Sequence, residues 1–230
     1  MNNFLEISSY FGLALTIAFF WLGHWINKKT KISFLNPILI AAALIIVLLA
    51  FLDIDYETYE SSAMIISKLL TPATICYAIP LYRQLKILKE RLGAIMISVA
   101  CGSTASVLCV FVFSKVLNFP PEVYRAILPK SVTTAIGMGL SEEMGGLVPS
   151  TIAAIMITGL FGGAAAVSIC RLFHITDPVA IGLCIGTSSH AVGTSKAIEI
   201  GEIEGAMSGL AIVVAGLMTV ILAPLASGWI

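Results

Sequence analysis

Long apolar runs separated by short polar clusters divide the chain into about eight segments. A helix needs roughly 20 predominantly apolar residues to cross about 30 Å of hydrocarbon. Residues 5–26, 35–52, 92–113, 147–170 and 206–225 meet that pattern without interruption and predict ordinary membrane spans. Three further segments are apolar but broken. Residues 63–81 contain Lys68, Pro72 and Pro80. Residues 123–140 contain Arg125, Pro129 and Lys130, and residues 179–198 carry Gly, Ser, Thr and His190. A backbone N–H or C=O without a partner is costly in lipid, so such breaks are tolerated only inside protein or along a wet cavity. The prediction is an all-α, polytopic transmembrane bundle with broken helices near the midplane.

Basic residues orient the first half. Lys28, Lys29 and Lys31 fall in one loop and Arg83, Lys86, Lys89 and Arg91 in another, two crossings apart. Both loops are expected on the cytoplasmic side. The intervening stretch with Asp53, Asp55, Glu57 and Glu60 reads as a solvated outer loop. The apolar stretch before Lys28 has no basic residue ahead of it and no small-residue cleavage site, so it is expected to be a retained helix.

One internal offset stands out. At a shift of 60 residues, Ala94-Ile95-Met96-Ile97 meets Ala154-Ile155-Met156-Ile157. Ser98 then meets Thr158, Gly102 meets Gly162, Ala105 meets Ala165 and Val107 meets Val167. The same shift aligns Thr71-Pro72-Ala73-Thr74 with Ser131-Val132-Thr133-Thr134. A single membrane domain, residues 1–230, with repeat-related units at about 61–114 and 121–174 is therefore expected. Paired interrupted segments in two such units point to a transporter's binding site. The pattern leaves open whether the repeat is parallel or inverted.

Composition narrows the class. The chain is 58% hydrophobic and only 11% charged, against about 45–50% and 25% in soluble domains. Its net charge is zero, so the basic footprint of a nucleic-acid binder is missing. Five cysteines without a CxxC spacing predict neither a disulfide framework nor a metal site. No cofactor is expected.

Candidate chemistry lies at the breaks. In Leu128-Pro129-Lys130-Ser131-Val132-Thr133-Thr134, Pro129 removes a donor and can start a helix. Lys130 supplies charge at depth, and Ser131, Thr133 and Thr134 supply hydroxyls beside the free N–H groups of a helix start. Together these suit a carboxylate. The alternative is a lysine that snorkels and hydroxyls that bond their own helix. Gly186-Thr187-Ser188-Ser189-His190-Ala191-Val192-Gly193-Thr194 would complete the site through Thr187, Ser189, His190, Gly193 and Thr194. An ionisable residue at depth is a functional candidate by default, and a histidine could couple a proton; a neutral histidine bonded to a neighbouring helix is the other reading. Thr71 and Thr74 are three apart on one helix face and would support the site. Lys196 and Glu199, also three apart, read as a solvated ion pair. GxxxG spacings such as Gly159/Gly163 and Gly182/Gly186 allow close packing within the chain or in a homo-oligomer. Ser189 and His190 are neighbours and do not face one another as a nucleophile and base should. With no HExxH or GxSxG run, no enzyme is expected.

These motifs carry a resemblance. The run from Leu128 to Thr134, Gly145-Gly146, the Gly182 to Thr194 stretch, Glu204-Gly205-Ala206, Leu70-Thr71-Pro72-Ala73 and Tyr77 to Tyr82 resemble the LrgB/CidB family of bacterial membrane proteins, which includes YohK-like proteins. The similarity runs from about Asn36 to Pro224. Two departures are Ala135, where the family often has proline, and Glu142-Glu143 ahead of Gly145. The resemblance implies a multi-pass protein of the bacterial cytoplasmic (inner) membrane in one of two roles. One is an antiholin-like regulator of murein hydrolase activity and autolysis, working with a small LrgA/CidA-type partner. The other is a carrier of short monocarboxylates such as pyruvate, glycolate or glycerate, as in a plastid relative. The intramembrane Lys, Ser, Thr and His residues favour the carrier, with membrane lipid as its surroundings and a small carboxylate as its cargo.

Overall fold

The computed structural model describes residues 10–30, 37–76 and 78–230. It resolves into two compact units, Met1–Cys76 and Tyr77–Ile230. The described residues form helices and no strand.

The first unit holds α1 (Phe11–Thr30), α2 (Pro37–Leu52) and α3 (Tyr56–Cys76). Ile45, Leu49 and Ile54 pack with Phe11, Leu15, Phe19 and Tyr59 to form its core. The α1 backbone approaches α3 closely: the Gly12 amide donates to Ser62 Oγ at 2.8 Å, and the hydroxyls of Thr16 and Tyr59 are 2.8 Å apart. The acidic stretch expected as a loop is shorter than the sequence suggested. Tyr56 to Glu60 already forms the first turns of α3, where Glu57 complements the helix dipole. The start of the segment expected at residues 5–26, and Leu35-Asn36, lie outside the described residues.

The second unit holds α4 (Ala78–Arg83), α5 (Leu85–Val116), α6 (Pro121–Ile127), α7 (Thr134–Glu143), α8 (Val148–Leu172), α9 (Pro178–Ile200) and α10 (Glu202–Ala226). Three of these, α5, α8 and α10, are long and apolar enough to cross a membrane. They match the uninterrupted runs at 92–113, 147–170 and 206–225. Among the other described helices, α2 is apolar but shorter. Ile95, Val99, Leu183, Met207, Ala211 and Val214 form the largest core cluster, where α5, α9 and α10 meet.

The two remaining apolar stretches of this unit reverse direction. In the first, α6 and α7 are joined by a turn at residues 128–133, and the chain comes back on itself: a Cβ on Gly146 would stand 2.7 Å from the Ala126 amide. This pair lies at the end of α10, where the Tyr124 hydroxyl donates to the Ala226 carbonyl at 2.8 Å.

The second reversal is inside α9. His190 has φ 40° and ψ −137°, which no helix permits. Residues 178–189 run alongside α10 in the same sense, with Gly182 against Glu204 and Met207, and Gly186 against Ser208 and Ala211. Residues 191–200 run back: Thr194 bonds Ser208 and Ile198 packs on Gly205. The element is a helical hairpin with its tip at Ser189-His190. Its first arm is about 18 Å long at 1.5 Å per residue, roughly half the hydrocarbon thickness. The α9 hairpin starts from the end where α10 begins and the α6–α7 pair from the end where α10 finishes. The two tips therefore approach from opposite ends of the same helix.

Candidate functional site

A cavity of about 900 Å³ lies between α5, α8, the first arm of α9 and the turn before α7. Its walls are mostly apolar, with Ile95, Ile157, Val179 and Leu183 among them. The polar groups on the wall are Ser98, Ser106, Lys130, Ser131, Thr158, Thr187 and Ser188, with Arg91 and Asp177 as a further charged pair.

Lys130 and Ser131 occupy the turn opened by Pro129. The ammonium donates to Ser106 Oγ at 3.2 Å and to Ser131 Oγ at 3.3 Å, and those two hydroxyls are 2.8 Å apart. Among the described residues no carboxylate pairs with Lys130. A cation that reaches only hydroxyl oxygens keeps its charge uncompensated, which is the arrangement an anion completes. The neighbouring Thr133 has extended geometry and precedes α7 without a side-chain cap, and Thr134 opens the helix. Neither is on the cavity wall.

The second expected cluster divides. Thr187 lines the cavity, and Ser189 reaches it through Ser188, whose hydroxyl is 3.0 Å away. His190, Gly193 and Thr194 do not line it. The His190 ring is buried and turned towards α8, where Nε2–H donates to the Ile155 carbonyl at 3.0 Å. A carbonyl can only accept, so the proton is assigned to Nε2. Thr194 donates to the His190 carbonyl at 2.9 Å. Its single proton is thus committed, and Ser208, 2.8 Å away, donates to it in turn. These bonds hold the reversal at its positive φ, a conformation that costs a non-glycine residue of order 1–3 kcal/mol. Gly193 is needed because a side chain there would run into Ser189 across the hairpin.

Thr71 and Thr74 belong to α3 in the first unit, and their side chains lie outside the described residues. The stretch 71–74 is helical, whereas its counterpart at the 60-residue offset, 131–134, crosses the non-helical turn into α7.

Several wall residues went unassigned in the sequence. Ser98, Gly102, Ser106 and Cys109 recur on one face of α5 at helical spacing, a polar stripe among apolar neighbours that periodicity could have exposed. The repeat offset had paired Ser98 with Thr158 and Gly102 with Gly162, and all four line the cavity. Both glycines serve the α9 tip. A Cβ on Gly102 would stand 2.9 Å from Thr187 Cγ2, and one on Gly162 would strike Ser189.

Arg91 and Asp177 are 86 positions apart in sequence and meet with Nη1 and Oδ2 at 2.8 Å. Asp177 also caps α9, its Oδ1 accepting from the amides of Val179 at 2.8 Å and Ala180 at 3.1 Å. The Arg91 hydrogen bond and then these amides hold its carboxyl below the usual carboxylate range.

A protein-family model described as LrgB-like family matches residues 16–229. The chain belongs to that family. It is 37% identical over 219 residues to a protein named antiholin-like protein LrgB from Bacillus subtilis (strain 168), covering 95% of each chain. It is 34% identical over 220 residues to a protein of the same name from Bacillus cereus (strain B4264), covering 95% of this chain and 96% of that one. No solved structure matches it. The membrane character and the family expected from the motifs are thus both established.

Proposed function

We propose that this protein serves in an antiholin-like role, as its relatives' names describe, and that its activity at the molecular level is passage of a small monocarboxylate through the cavity at Lys130. The names support the first part; transport is not in them, and rests on the cavity. The observation that carries it is a lysine in an apolar-walled cavity whose partners are hydroxyls and not a carboxylate. A carboxylate arriving there gains a charge-assisted hydrogen bond, and Ser106, Ser131, Thr158 and Thr187 offer further hydroxyls. The apolar walls suit a short hydrocarbon body. Pockets of 300–1,000 Å³ enclose drug-sized ligands, so an acid of the pyruvate, glycolate or glycerate class would travel with water around it.

The two reversals supply the moving parts in this reading. Discontinuous helices beside a midplane site, in repeat-related units within a bundle of about eight apolar segments, are the architecture of alternating access. A bacterial cytoplasmic membrane, an LrgA/CidA-type small membrane partner and a homo-oligomer are part of the same proposal, as is the absence of enzymatic chemistry.

A second reading is the other role that the family resemblance implies, an antiholin-like regulator of murein hydrolase activity that moves no solute itself; the relatives' names support its antiholin-like part. Reconstitution separates the two. Liposomes carrying the purified protein, with and without an LrgA-type partner, are assayed for uptake of labelled pyruvate, glycolate and glycerate, with and without a pH gradient. Saturable uptake that Lys130→Ala abolishes, while that variant still inserts, supports the carrier. No uptake of any of the three acids, even with the partner, overturns it in favour of the regulator.

A further inference from the structure

The charged pair at the other end of the cavity has a use that follows from its geometry. Arg91, Asp177 and Lys130 are the charged residues on the wall. Along α5, Arg91 stands roughly 25 Å from the level of Ser106 and Cys109 at 1.5 Å per residue, and Lys130 lies beside Ser106. The cavity is thus long, with one cation at each end and mostly apolar walls between them. At the Lys130 end Lys130 and Ser106 are half-buried and Ser131 is buried. The Arg91 end is open, with about half of the Arg91 and Asp177 side chains exposed.

The bonding of Asp177 is asymmetric in an informative way. One oxygen, Oδ1, serves the α9 amides, and the other, Oδ2, serves Arg91. If Arg91 leaves, Asp177 keeps both amide bonds and the helix dipole behind them, so the hairpin remains capped. The pair is exposed, and exposed ion pairs contribute little. Arg91 is therefore held loosely by a partner that does not depend on it. Its guanidinium presents a fork that fits a second carboxylate as well as the first.

We propose that Arg91 is the anion station at the rim of this cavity, occupied at rest by the Asp177 carboxylate and taken over by the carboxylate of a monocarboxylate that enters the cavity from this end on its way to Lys130. The proposal deepens the carrier reading and rests on it for the identity of the anion. Asp177 acts as a built-in competitor: it lowers affinity at the rim, prevents Arg91 from trapping the anion, and ties α5 to the first arm of the hairpin until an anion arrives.

The test combines transport with a readout that does not need transport. Cys109 lines the cavity near its Lys130 end and can report which charges pass the rim. In a background with Cys76, Cys101, Cys170 and Cys184 replaced by serine or alanine, Cys109 is labelled with an anionic sulfonate-bearing or a cationic ammonium-bearing methanethiosulfonate. Arg91→Gln is expected to raise the KM for pyruvate about tenfold, the loss of one charged hydrogen bond, with maximal uptake kept. It should also slow anionic labelling relative to cationic. Asp177→Asn keeps a good N-cap and frees Arg91, so KM should fall and anionic labelling should speed up. Arg91→Lys should lie between wild type and Arg91→Gln in both readouts. If wild-type protein takes up no pyruvate but the labelling ratio moves in these directions, the carrier reading fails and the anion station stands. If both variants insert and label with wild-type charge preference, Arg91 is a surface ion pair only and the proposal is overturned.

Discussion

Gly162 on α8 lies against Ser189 at the tip of the α9 hairpin, so close that a Cβ on the glycine would collide with the serine hydroxyl. Gly159 receives the His190 ring in the same way, and Gly163 lies in ordinary contact range of Gly193. The hairpin tip therefore seats in a groove made by missing side chains. Gly162→Val is expected to destabilise the protein by about 1–3 kcal/mol, the usual cost of overpacking. It should also lower the melting temperature in detergent. Gly139→Ala is the control: nothing lies within 4 Å of a Cβ there, so the better helix propensity of alanine should leave stability unchanged or raise it by up to about 1 kcal/mol.

The reversal at His190 can be tested through its backbone alone. Both His190→Ala and His190→Gly lose the bond to the Ile155 carbonyl. Only glycine is at ease at φ 40°. The glycine variant should therefore be more stable than the alanine variant by roughly 1 kcal/mol, measured by thermal unfolding. In an unbroken helix the order would be the opposite, because glycine costs about 1 kcal/mol relative to alanine there.

The Thr194–Ser208 bond joins the returning arm to α10. Thr194→Val removes the acceptor for Ser208 and the donor to the His190 carbonyl, leaving buried polar groups unpaired. A loss of about 1–3 kcal/mol is expected. Ser208→Ala should cost less, since Thr194 retains its bond to His190. The double variant should lose less than the sum of the two, and a cycle of melting experiments reads that coupling.

Asp177 makes a pH-dependent contribution with a definite sign. Its carboxyl is held low in the folded protein by Arg91 and the two α9 amides. Its contribution is therefore complete above the ordinary carboxylate value of about 3.9 and fades as pH falls through the lower folded value. Asp177→Ala should cost about 0.5–2 kcal/mol at neutral pH as a lost N-cap. The difference in melting temperature from wild type should shrink only below about pH 4. A difference that persists unchanged into strong acid would assign Asp177 a packing role instead.

Much of the architecture was readable in the order of residues. The uninterrupted runs at 92–113, 147–170 and 206–225 became α5, α8 and α10 because their composition allows no other solvent. Pro129 marked the turn before α7, since proline removes a donor from the helical ladder; Pro72 and Pro224 show that this alone does not end a helix, for both sit inside one, in α3 and α10. Lys130 and Ser131 were legible as candidates from the cost of placing charge at depth. The boundary of α3 was not: Tyr56 to Glu60 reads as polar loop, but an acidic first turn is equally good helix chemistry.

What the sequence by itself determined is therefore local: which stretches avoid water, where the helical ladder must break, and which side chains at the breaks are too polar for lipid. The tertiary structure alone decided direction. A break at Ser189-His190 could have been a shallow kink, and a kink would have left His190 free to reach the cavity. Two dihedral angles made it a reversal, which turned the imidazole to α8 and put Thr187 and Ser188 on the wall instead. Arg91 and Asp177 became a pair for the same reason, brought together by packing and not by spacing. Polarity is a property of each residue and is written along the chain. Proximity is set by how the backbone turns and by which glycines let helices approach, and these act only once the helices have met.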